Sequence, residues 1–444
     1  MGAEKDIIVA VELASTAIRA IAGRKEPDGS VQILAVVQEE AANTIHKGVV
    51  DNIDKTTQTI RQAVRQINDK LNIHTKSIYV GLSGQSLRSK QNVVTRQFTE
   101  KTHITHQIID EMKDANGAVT YAGSEILDMI PQEYRIANRQ VADPVGMQGD
   151  SIEANFLNVL ARTNLKENIE KCVHDAGFEL AELLISPLCL ADTLLSSSEK
   201  ISGCALVDMG GETTTVSVYD RGILRHLCVI PLGGSTVTSD IASNSIETDE
   251  AETLKLKYGT AYRSEPGKQG VNSISLSHSR SIDELSLQEI IEARYEEIFL
   301  NIWKQIDGRS ERLLSGIVFT GGAARVKDLA EGFGKHTHSD KLIRVVKGLP
   351  TNVKLAHGLN IAEPDTLYTL MALLQHGDQS CVGESSDGVQ EEIDFGASEI
   401  TTETALENQE ETTDEPKKAP GEGTGKKLSR LWDKVSKLFE EPED

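Results

Sequence analysis

Three apolar runs that read as β-strands each end in a turn of small residues, and this pattern constrains the fold more than any other feature. Residues 7–16 read IIVAVELAST, residues 204–218 read CALVDMGGETTTVSV and residues 316–329 read GIVFTGGAARVKDL. Small residues after a buried strand let backbone N–H groups approach a phosphate closely. One such junction is weak evidence because helix–sheet packing also selects glycine, but three in this order indicate a nucleotide-binding α/β fold.

The first two turns predict a phosphate site with a metal ion. Glu12 and Asp208 stand at the ends of their strands, and two carboxylates that face one phosphate chain suit a hydrated Mg²⁺ ion. The residues expected to bind phosphate are Ala14, Ser15, Thr16, Gly210, Gly211 and Thr213. Their backbone N–H groups and hydroxyls supply the donors.

The third turn predicts contacts to the nucleoside. Gly321, Gly322 and Ala323 follow a buried strand, and paired glycines at that junction let the backbone lie against a flat base or a ribose. A helix that carries Val326 and Leu329 is expected to come directly after the turn.

The segment 378–425 is predicted to be a disordered, acidic linker. It contains 14 acidic residues against Lys417 and Lys418, a net charge of −12 within the chain's formal −22, and it nearly lacks large apolar side chains. Such a segment cannot bury enough apolar surface to offset its ordering entropy. Repulsion between its charges should keep it extended.

Apolar residues recur at helical spacing in residues 426–441, with lysine and arginine beside them. The apolar stripe consists of Leu428, Leu431, Trp432, Val435, Leu438 and Phe439. The run is too short to span a bilayer, and its other positions are largely charged. The pattern therefore predicts an amphipathic helix that lies flat in the lipid headgroups; the alternative is a helix packed on its own domain.

Composition limits the compartment and the partners. The five cysteines are scattered with no CxxC pair, which fits a reducing cytoplasm and argues against a zinc site. No signal peptide is recognisable at the start and no apolar run reaches about eighteen residues. An acidic chain with few aromatic residues argues against nucleic-acid binding, and no catalytic Ser–His–Asp or Cys–His arrangement is evident.

In its order of turns the chain resembles the actin-like ATPase superfamily and, more narrowly, the FtsA family of bacterial division proteins. The match runs from residue 7 to about residue 374 and returns at the terminal helix. The most specific blocks are IYVGLSG at 78–84, IPQEYRI at 130–136, DPVGMQG at 143–149, IPLGGSTVTSDIA at 230–242, IIEARYEEI at 290–298 and GIVFTGGAA at 316–324. Generic actin relatives lack the IPQEY block, which in FtsA proteins lies in a small extra subdomain.

The resemblance implies an α/β, actin-like fold of two ribonuclease-H-like halves that hold ATP and Mg²⁺ between them. The implied boundaries are 5–82 and 166–200 for the first half, 83–165 for the inserted subdomain, 201–240 and 301–377 for the second half and 241–300 for its small lobe. A last helix at 366–374 should cross back to the first half.

Further site residues are implied by the resemblance alone. Glu252 and Lys255 match the helix that meets ribose and adenine, although by themselves they read as a solvated ion pair on a surface helix. Arg294 and Tyr295 fall where FtsA proteins contact the C-terminal tail of FtsZ, a peptide with acidic and apolar residues.

Four residues depart from the family's usual turns. Glu12 and Ala14 replace an aspartate and a glycine in the first turn, while Glu212 and Thr215 replace a glycine and an aspartate in and after the second. A carboxylate at position 212 would repel a triphosphate unless it points away or shares a metal. We expect ATP binding to survive these changes and hydrolysis to be slow or absent.

The resemblance implies a peripheral protein on the cytoplasmic face of the inner membrane at the division septum. It would bind ATP, self-assemble, recruit other division proteins and tether FtsZ filaments to lipid. A small-molecule kinase of the same superfamily would need an aspartate base and no anchor, and a chaperone-type ATPase would need a folded substrate region after the ATPase. A pilus-assembly relative would share the extra subdomain without the anchor.

Overall fold

A computed structural model describes residues 6–383 except 42, 138, 264–272 and 278–279. The predicted terminal helix at 426–441, with its six membrane-binding residues, lies outside the described residues. All but the first six residues of the predicted linker lie outside them as well. Within the described part, none of the helices combines the length and apolarity needed to cross a membrane.

Strands and helices alternate along the chain. The strands are β1 (Ile8–Leu13), β2 (Ala17–Lys25), β3 (Val31–Glu40), β4 (Ile45–His46), β5 (Val49–Val50), β6 (Ser77–Leu82), β7 (Arg88–His103), β8 (Ser124–Ile136), β9 (Arg139–Val141), β10 (Gln148–Arg162), β11 (Glu179–Ile185), β12 (Cys204–Met209), β13 (Thr214–Asp220), β14 (Ile223–Ile230), β15 (Ser273–Ser275), β16 (Ser281–Asp283), β17 (Ile317–Thr320), β18 (Ile343–Val345) and β19 (Val353–Leu355). The helices are α1 (Ile53–Leu71), α2 (His106–Gly117), α3 (Thr163–Asp175), α4 (Ser186–Leu194), α5 (Ser197–Ser202), α6 (Gly234–Ala242), α7 (Thr248–Tyr258), α8 (Glu284–Ile306), α9 (Leu329–Thr337) and α10 (Tyr368–His376).

The first half is a six-stranded sheet in the order β11-β6-β1-β2-β3-β19. Strands β1, β2 and β3 run antiparallel, and β6 and β11 join β1 in parallel. Helix α1 packs on β2 and β3 through Ile60, Val64 and Ile67, which are buried at helical spacing. The Asn52 side chain accepts the N–H of Lys55 at 3.0 Å and caps the start of this helix.

The second half repeats this pattern. Strands β12, β13 and β14 run antiparallel, and β17 and β18 extend the sheet from β12 in parallel. The repeat of three antiparallel strands followed by two parallel ones confirms the predicted duplicated, actin-like architecture. Helices α6, α7 and α8 cover one side of the second half and share its hydrophobic core.

An insert of α2, β7, β8, β9 and β10 separates β6 from α3. It has its own core, which includes Met112, Ile152 and Phe156. Its strand β7 pairs with β14 at Arg88 and Cys228, so the sheet of the second half continues into the insert. The IPQEYRI block lies on β8.

Several predicted boundaries differ from the observed elements. The predicted boundary at 300 cuts α8, which continues to Ile306 because its last buried residues pack into the core of the second half. The helix expected directly after the third turn begins only at Leu329, after a 3-10 turn at Gly322–Arg325. Val326 between them is extended, with φ −55° and ψ 141°, and this ends the 3-10 turn before α9.

The end of the described chain returns to the first half. Helix α10 packs against α4, β1 and β2, as predicted for the last helix. Because β19 also pairs with β3, the predicted assignment of all of 301–377 to the second half is wrong for β19 and α10. Residues 378–383, which composition had assigned to the linker, are ordered: the Cys381 N–H donates to the Ile7 carbonyl at 2.8 Å, and the Tyr79 hydroxyl donates to Asp378 at 2.9 Å. The predicted start of the linker at 378 is therefore wrong, because main-chain pairing holds this polar segment.

Candidate functional site

The three turns meet in one cleft of about 580 Å³ between the two halves. The predicted residues that line it are Glu12, Ala14, Thr16, Asp208, Gly210, Gly211, Glu252, Lys255, Gly321, Gly322 and Ala323. Ser15 and Thr213 do not line it. The segments that form the cleft are about two hundred and one hundred and ten residues apart in sequence, so the duplicated sheet brings them together.

Ser15 lies in the first turn, between β1 and β2, and bonds to another segment of the first half. The Ala14 N–H donates to the Ala17 carbonyl at 3.1 Å and closes the turn between β1 and β2. The Ser15 hydroxyl oxygen accepts the N–H of Gly48 at 3.2 Å. Ser15 therefore ties the turn to the β4–β5 hairpin and is not among the residues that line the cleft; its contact with phosphate stays a prediction.

The second turn is held by the start of α6. The N–H groups of Gly234 and Ser235 donate to the carbonyls of Gly210 at 3.0 Å and Gly211 at 2.7 Å. A Cβ at Gly233 would lie 2.5 Å from both of those carbonyl oxygens, so only glycine fits there. Gly234 and Ser235 also line the cleft and were missed as site residues, although the glycine pair before a helix was a usable signal.

Thr213 serves this same turn through its backbone. Its carbonyl accepts the Gly210 N–H at 2.8 Å, and its side chain is not part of the cleft wall. Thr213 therefore closes the turn in this structure, and its contact with phosphate stays a prediction.

Glu212 points away from the phosphate position. Its Oε2 accepts the N–H of Lys47 at 2.6 Å, and its Oε1 lies 3.6 Å from Nδ1 of His46. Both residues belong to the β4–β5 hairpin of the first half. The carboxylate thus contacts the first half, and Glu212 is not among the residues that line the cleft.

The third turn lies directly against Asp208. Gly321 has φ +91°, and a Cβ there would lie 2.5 Å from Oδ1 of Asp208 and from the Met209 carbonyl oxygen. A Cβ at Gly322 would meet no atom within 4 Å. Position 321 thus requires glycine, both because of its positive φ and because a Cβ would clash with its neighbours. At position 322 a Cβ would meet only open space in the cleft.

The carboxylates of Glu12 and Asp208 suit a divalent cation. Burial, and after it the negative charge of Glu12, raise the pKa of the Asp208 carboxyl to about 7. Glu12 is paired with Arg19, whose Nη1 lies 3.3 Å away, while Asp208 accepts no hydrogen bond from the described residues. A divalent cation that binds oxygen ligands would stabilise the ionised carboxylate of Asp208. The carboxylates of Asp208 and Glu12 therefore fit Mg²⁺.

Further metal ligands would have to come from outside the protein. Clusters of three or more metal-ligating side chains are absent from the described residues. Mg²⁺ at Asp208 and Glu12 would therefore take most of its ligands from phosphate oxygens and water.

Lys255 and Glu252 line the cleft; Glu252 is 44% exposed, whereas the Lys255 side chain is largely buried. The Lys255 side chain is 12% exposed, and its Nζ donates to Glu252 Oε2 at 2.6 Å. The same ammonium donates to Thr238 Oγ1 at 2.9 Å and to the Gly234 carbonyl at 3.1 Å. Lys255 therefore fixes α7 to the start of α6 and places a positive charge beside the second turn.

Tyr295 does not lie on the surface that was predicted to bind FtsZ. Its ring is buried in the core of the second half, and its hydroxyl donates to the Ala323 carbonyl at 3.0 Å. Tyr295 positions the third turn and lines the cleft. Arg294, its neighbour on α8, faces Asp240 with contacts of 2.5 and 2.9 Å and also bonds to Glu297.

Arg325 is a cleft residue that the sequence did not indicate. Its guanidinium lies 2.8 Å from Glu363 and 3.3 Å from Asp365, in the segment that leads into α10. Because α10 packs in the first half while Arg325 follows β17 of the second, this ion pair joins the halves at the cleft. The contact of Glu212 with the β4–β5 hairpin joins them at a second place.

Comparison with known proteins gives consistent matches. The family model for cell division protein FtsA matches residues 205–375, and the model for the SHS2 domain inserted in FTSA matches residues 84–160. The chain is 30% identical to cell division protein FtsA of Pseudomonas aeruginosa, covering 86% of this chain and 91% of that protein. It is 31% identical to the Porphyromonas gingivalis protein of the same name, covering 72% and 69% respectively.

The solved structures give the same fold. The PilM–PilN type IV pilus biogenesis complex contains a chain that superposes with a TM-score of 0.59 at 14% identity. The superposition covers 83% of this chain and 97% of that chain. At this identity the likeness shows the actin-like fold alone.

Proposed function

Because the chain belongs to the FtsA family of cell-division proteins, we propose that it binds ATP with Mg²⁺, self-assembles and tethers FtsZ filaments to the cytoplasmic membrane at the septum. The observation that carries ATP binding is the meeting of three small-residue turns in one cleft beside Asp208, whose carboxylate accepts no hydrogen bond from the described residues. Other division proteins would join through the same assembly.

Each wall of the cleft has a part in holding the nucleotide. The backbone of Ala14 and Thr16 on one side, and of Gly210 and Gly211 on the other, would contact the phosphate chain. Lys255 with the third turn would hold the ribose and base. Asp208 and Glu12 would hold Mg²⁺, which supplies positive charge to neutralise the phosphates.

The proposed site would hydrolyse ATP slowly. A hydrolytic actin-like site needs a group that orients water toward the last phosphate. Position 215, where relatives usually have an aspartate, is a buried threonine that pairs with Asp208 across β12 and β13. ATP would therefore serve mainly as a structural ligand that holds the two halves together, and less as a source of free energy from hydrolysis.

Calorimetry on two substitutions of one residue tests the site. Gly322→Ala should bind ATP·Mg²⁺ like the unchanged chain, because its Cβ meets no atom within 4 Å. Gly322→Arg should abolish binding because the long side chain fills the cleft. Equal ATP affinity of the Ala and Arg variants would contradict the proposed site.

An exposed apolar surface supports self-assembly. Ile201, Leu314 and Leu342 are 60%, 79% and 72% exposed, and they precede the neighbouring strands β12, β17 and β18. Apolar residues grouped at one end of a sheet favour a protein contact. Leu314→Glu should reduce pelleting of assembled protein in sedimentation, whereas Val93→Glu on the insert, also more than half exposed, should not. Equal pelleting of both variants would exclude this surface.

The FtsZ contact stays at Arg294. Its guanidinium is already bound to Asp240 and Glu297, so an acidic peptide would compete with these carboxylates or join them. Binding of a labelled FtsZ tail peptide should weaken about fivefold or more in Arg294→Gln, by the loss of one charge-assisted hydrogen bond. Unchanged affinity would move the contact elsewhere.

Membrane attachment is proposed from the terminal stripe. Six partly buried apolar side chains contribute several kcal/mol at ~1.5–3 kcal/mol for each fully buried one, so one copy should bind reversibly and a polymer firmly. Trp432→Glu should lose co-pelleting with anionic vesicles. Ser429→Glu adds the same charge away from the stripe and should retain it. Equal loss in both variants would point to charge alone instead of an apolar face.

A further inference from the structure

A second, smaller pocket of about 200 Å³ lies between the insert and the second half, outside the nucleotide cleft. Four arginines and two carboxylates line it: Arg221, Arg225, Arg309, Arg312, Glu133 and Asp220. The formal charge of this set is +2 in a chain whose net charge is −22. Excess positive charge in a concave site attracts anions.

Two of the arginines are occupied by the two carboxylates. Arg225 is largely buried, with its Nη1 2.8 Å from Glu133 and 3.0 Å from the side-chain oxygen of Gln132. Nη1 of Arg312 lies 3.5 Å from Oδ2 of Asp220. The Arg225–Glu133 pair links the insert to the second half, while the Arg312–Asp220 pair lies within the second half.

The other two arginines have free donors. Arg221 stands at the tip of the β13–β14 turn with φ +56°, and Arg309 lies half-buried in the 3-10 turn after α8. Neither guanidinium has a hydrogen-bond acceptor or carboxylate partner among the described residues. A half-buried guanidinium without an anion forgoes the charge-assisted hydrogen bonds that its planar donors can make to an oxyanion.

The pocket also contains an acceptor that needs a donor. Oδ2 of Asp220 is buried and, although Nη1 of Arg312 lies 3.5 Å away, it accepts no hydrogen bond from the described residues. Burial of an acceptor without a hydrogen bond is costly, and a hydroxyl group would satisfy it. The amides of Gln91 and Gln140 line the same space and offer further neutral donors.

We propose that this pocket binds a small molecule that carries both an oxyanion and a hydroxyl group, of the class of polyol phosphates. The oxyanion pairs with Arg309 and Arg221, and a hydroxyl of the same molecule donates to Asp220. The pocket has about a third of the volume of the nucleotide cleft, which excludes a whole nucleotide. A ligand here contacts both the insert and the second half, so it would strengthen their contact.

Calorimetry on the full chain tests this site with glycerol 3-phosphate as the probe. The unchanged chain and Gly322→Arg should both bind it, because the variant alters only the nucleotide cleft. Arg309→Gln and Arg221→Gln should each weaken binding about tenfold or more, the loss of one charge-assisted contact. Inorganic phosphate should bind more weakly than glycerol 3-phosphate, and glycerol should give no heat.

Arg139→Gln is the matched control. Arg139 precedes Gln140 on β9 and is exposed on the opposite face of that strand, so its loss should leave binding unchanged. Absence of binding to the unchanged chain, or equal affinity in Arg309→Gln and Arg139→Gln, would overturn the proposal. Loss of binding in Gly322→Arg but not in Arg309→Gln would place the probe in the nucleotide cleft and overturn it too.

Discussion

Replacement of Arg325 by glutamine should speed nucleotide release. Arg325 joins the second half to Glu363 and Asp365 at 2.8 and 3.3 Å, in the segment that leads into α10 of the first half. A nucleotide held between the halves leaves faster when the halves separate more often. The substitution removes the charge and keeps most of the side-chain volume.

The solvent exposure of the Arg325–Glu363 ion pair sets the expected change in the nucleotide release rate. Arg325 is 41% exposed and Glu363 54%, so solvent screens the interaction. A half-exposed arginine with two carboxylate partners contributes about 0.5–1.5 kcal/mol after this discount. If the pair breaks when the halves part, its loss raises the release rate about twofold to tenfold.

Stopped-flow displacement of a fluorescent ATP analogue by excess ATP measures this rate. Arg24→Gln is the matched control, since Arg24 is 34% exposed, pairs with Glu26 at 3.0 Å within the first half and lies outside the cleft. Its release rate should equal that of the unchanged chain. Equal rates in Arg325→Gln and Arg24→Gln would refute a role for Arg325 in holding the halves together.

Three further outcomes follow from the structure. Gly321→Ala should lower the free energy of unfolding by about 1–3 kcal/mol, because φ +91° and the nearby Asp208 oxygen exclude a Cβ; thermal unfolding should show no such loss for Gly322→Ala. Glu212→Gln should change ATP affinity in calorimetry less than about threefold, since its carboxylate faces away; a gain of tenfold or more would mean that it repels the phosphates. Hydrogen bonds to Asp192 and then Cys189 raise the pKa of His376 from 6.5 to about 10, so its stabilisation is complete below pH 6.5 and is lost as pH rises toward 10. The melting temperature of His376→Gln should therefore lie about 2 °C below that of the unchanged chain at pH 6 and converge with it near pH 10; a gap that does not narrow would contradict this.

Local patterns in the sequence predicted most of the cleft, whereas the duplicated fold and the contacts of Glu252 and Lys255 were predicted from the resemblance to the FtsA family. Buried apolar runs such as Ile8–Leu13 specify strands, and the small residues that follow them specify turns. The duplicated order of these strands then places the turns at one cleft. Eleven of the thirteen residues predicted to bind nucleotide or metal line it.

The sequence could not give the direction of individual side chains in the turns. Ser15 and Glu212 sit among the residues predicted to bind phosphate, yet both bond to the β4–β5 hairpin, which comes from another segment of the chain. Tyr295 follows Arg294 on α8, and only the packing of that helix decides that one is buried and the other is not. Such orientation depends on tertiary contacts, which a single sequence does not encode locally.

Arg325 and the start of the linker were missed for a related reason. Arg325 pairs with residues about forty positions later, and no periodic pattern links them. Residues 378–383 have a polar composition typical of a linker, but backbone hydrogen bonds of Cys381 with Ile7, Lys76 and Ser77 order them. Amino-acid composition indicates how much side-chain surface a segment can bury. It gives no information on the backbone hydrogen bonds that the segment makes.

A crystal structure with ATP and Mg²⁺ tests the central claim most directly. Electron density for the phosphate chain should lie between the first and second turns, with Mg²⁺ beside Asp208 and the adenosine against Gly321 and Lys255. Nucleotide bound at any other place, or a cleft that stays empty at saturating ATP, would contradict this account of the site.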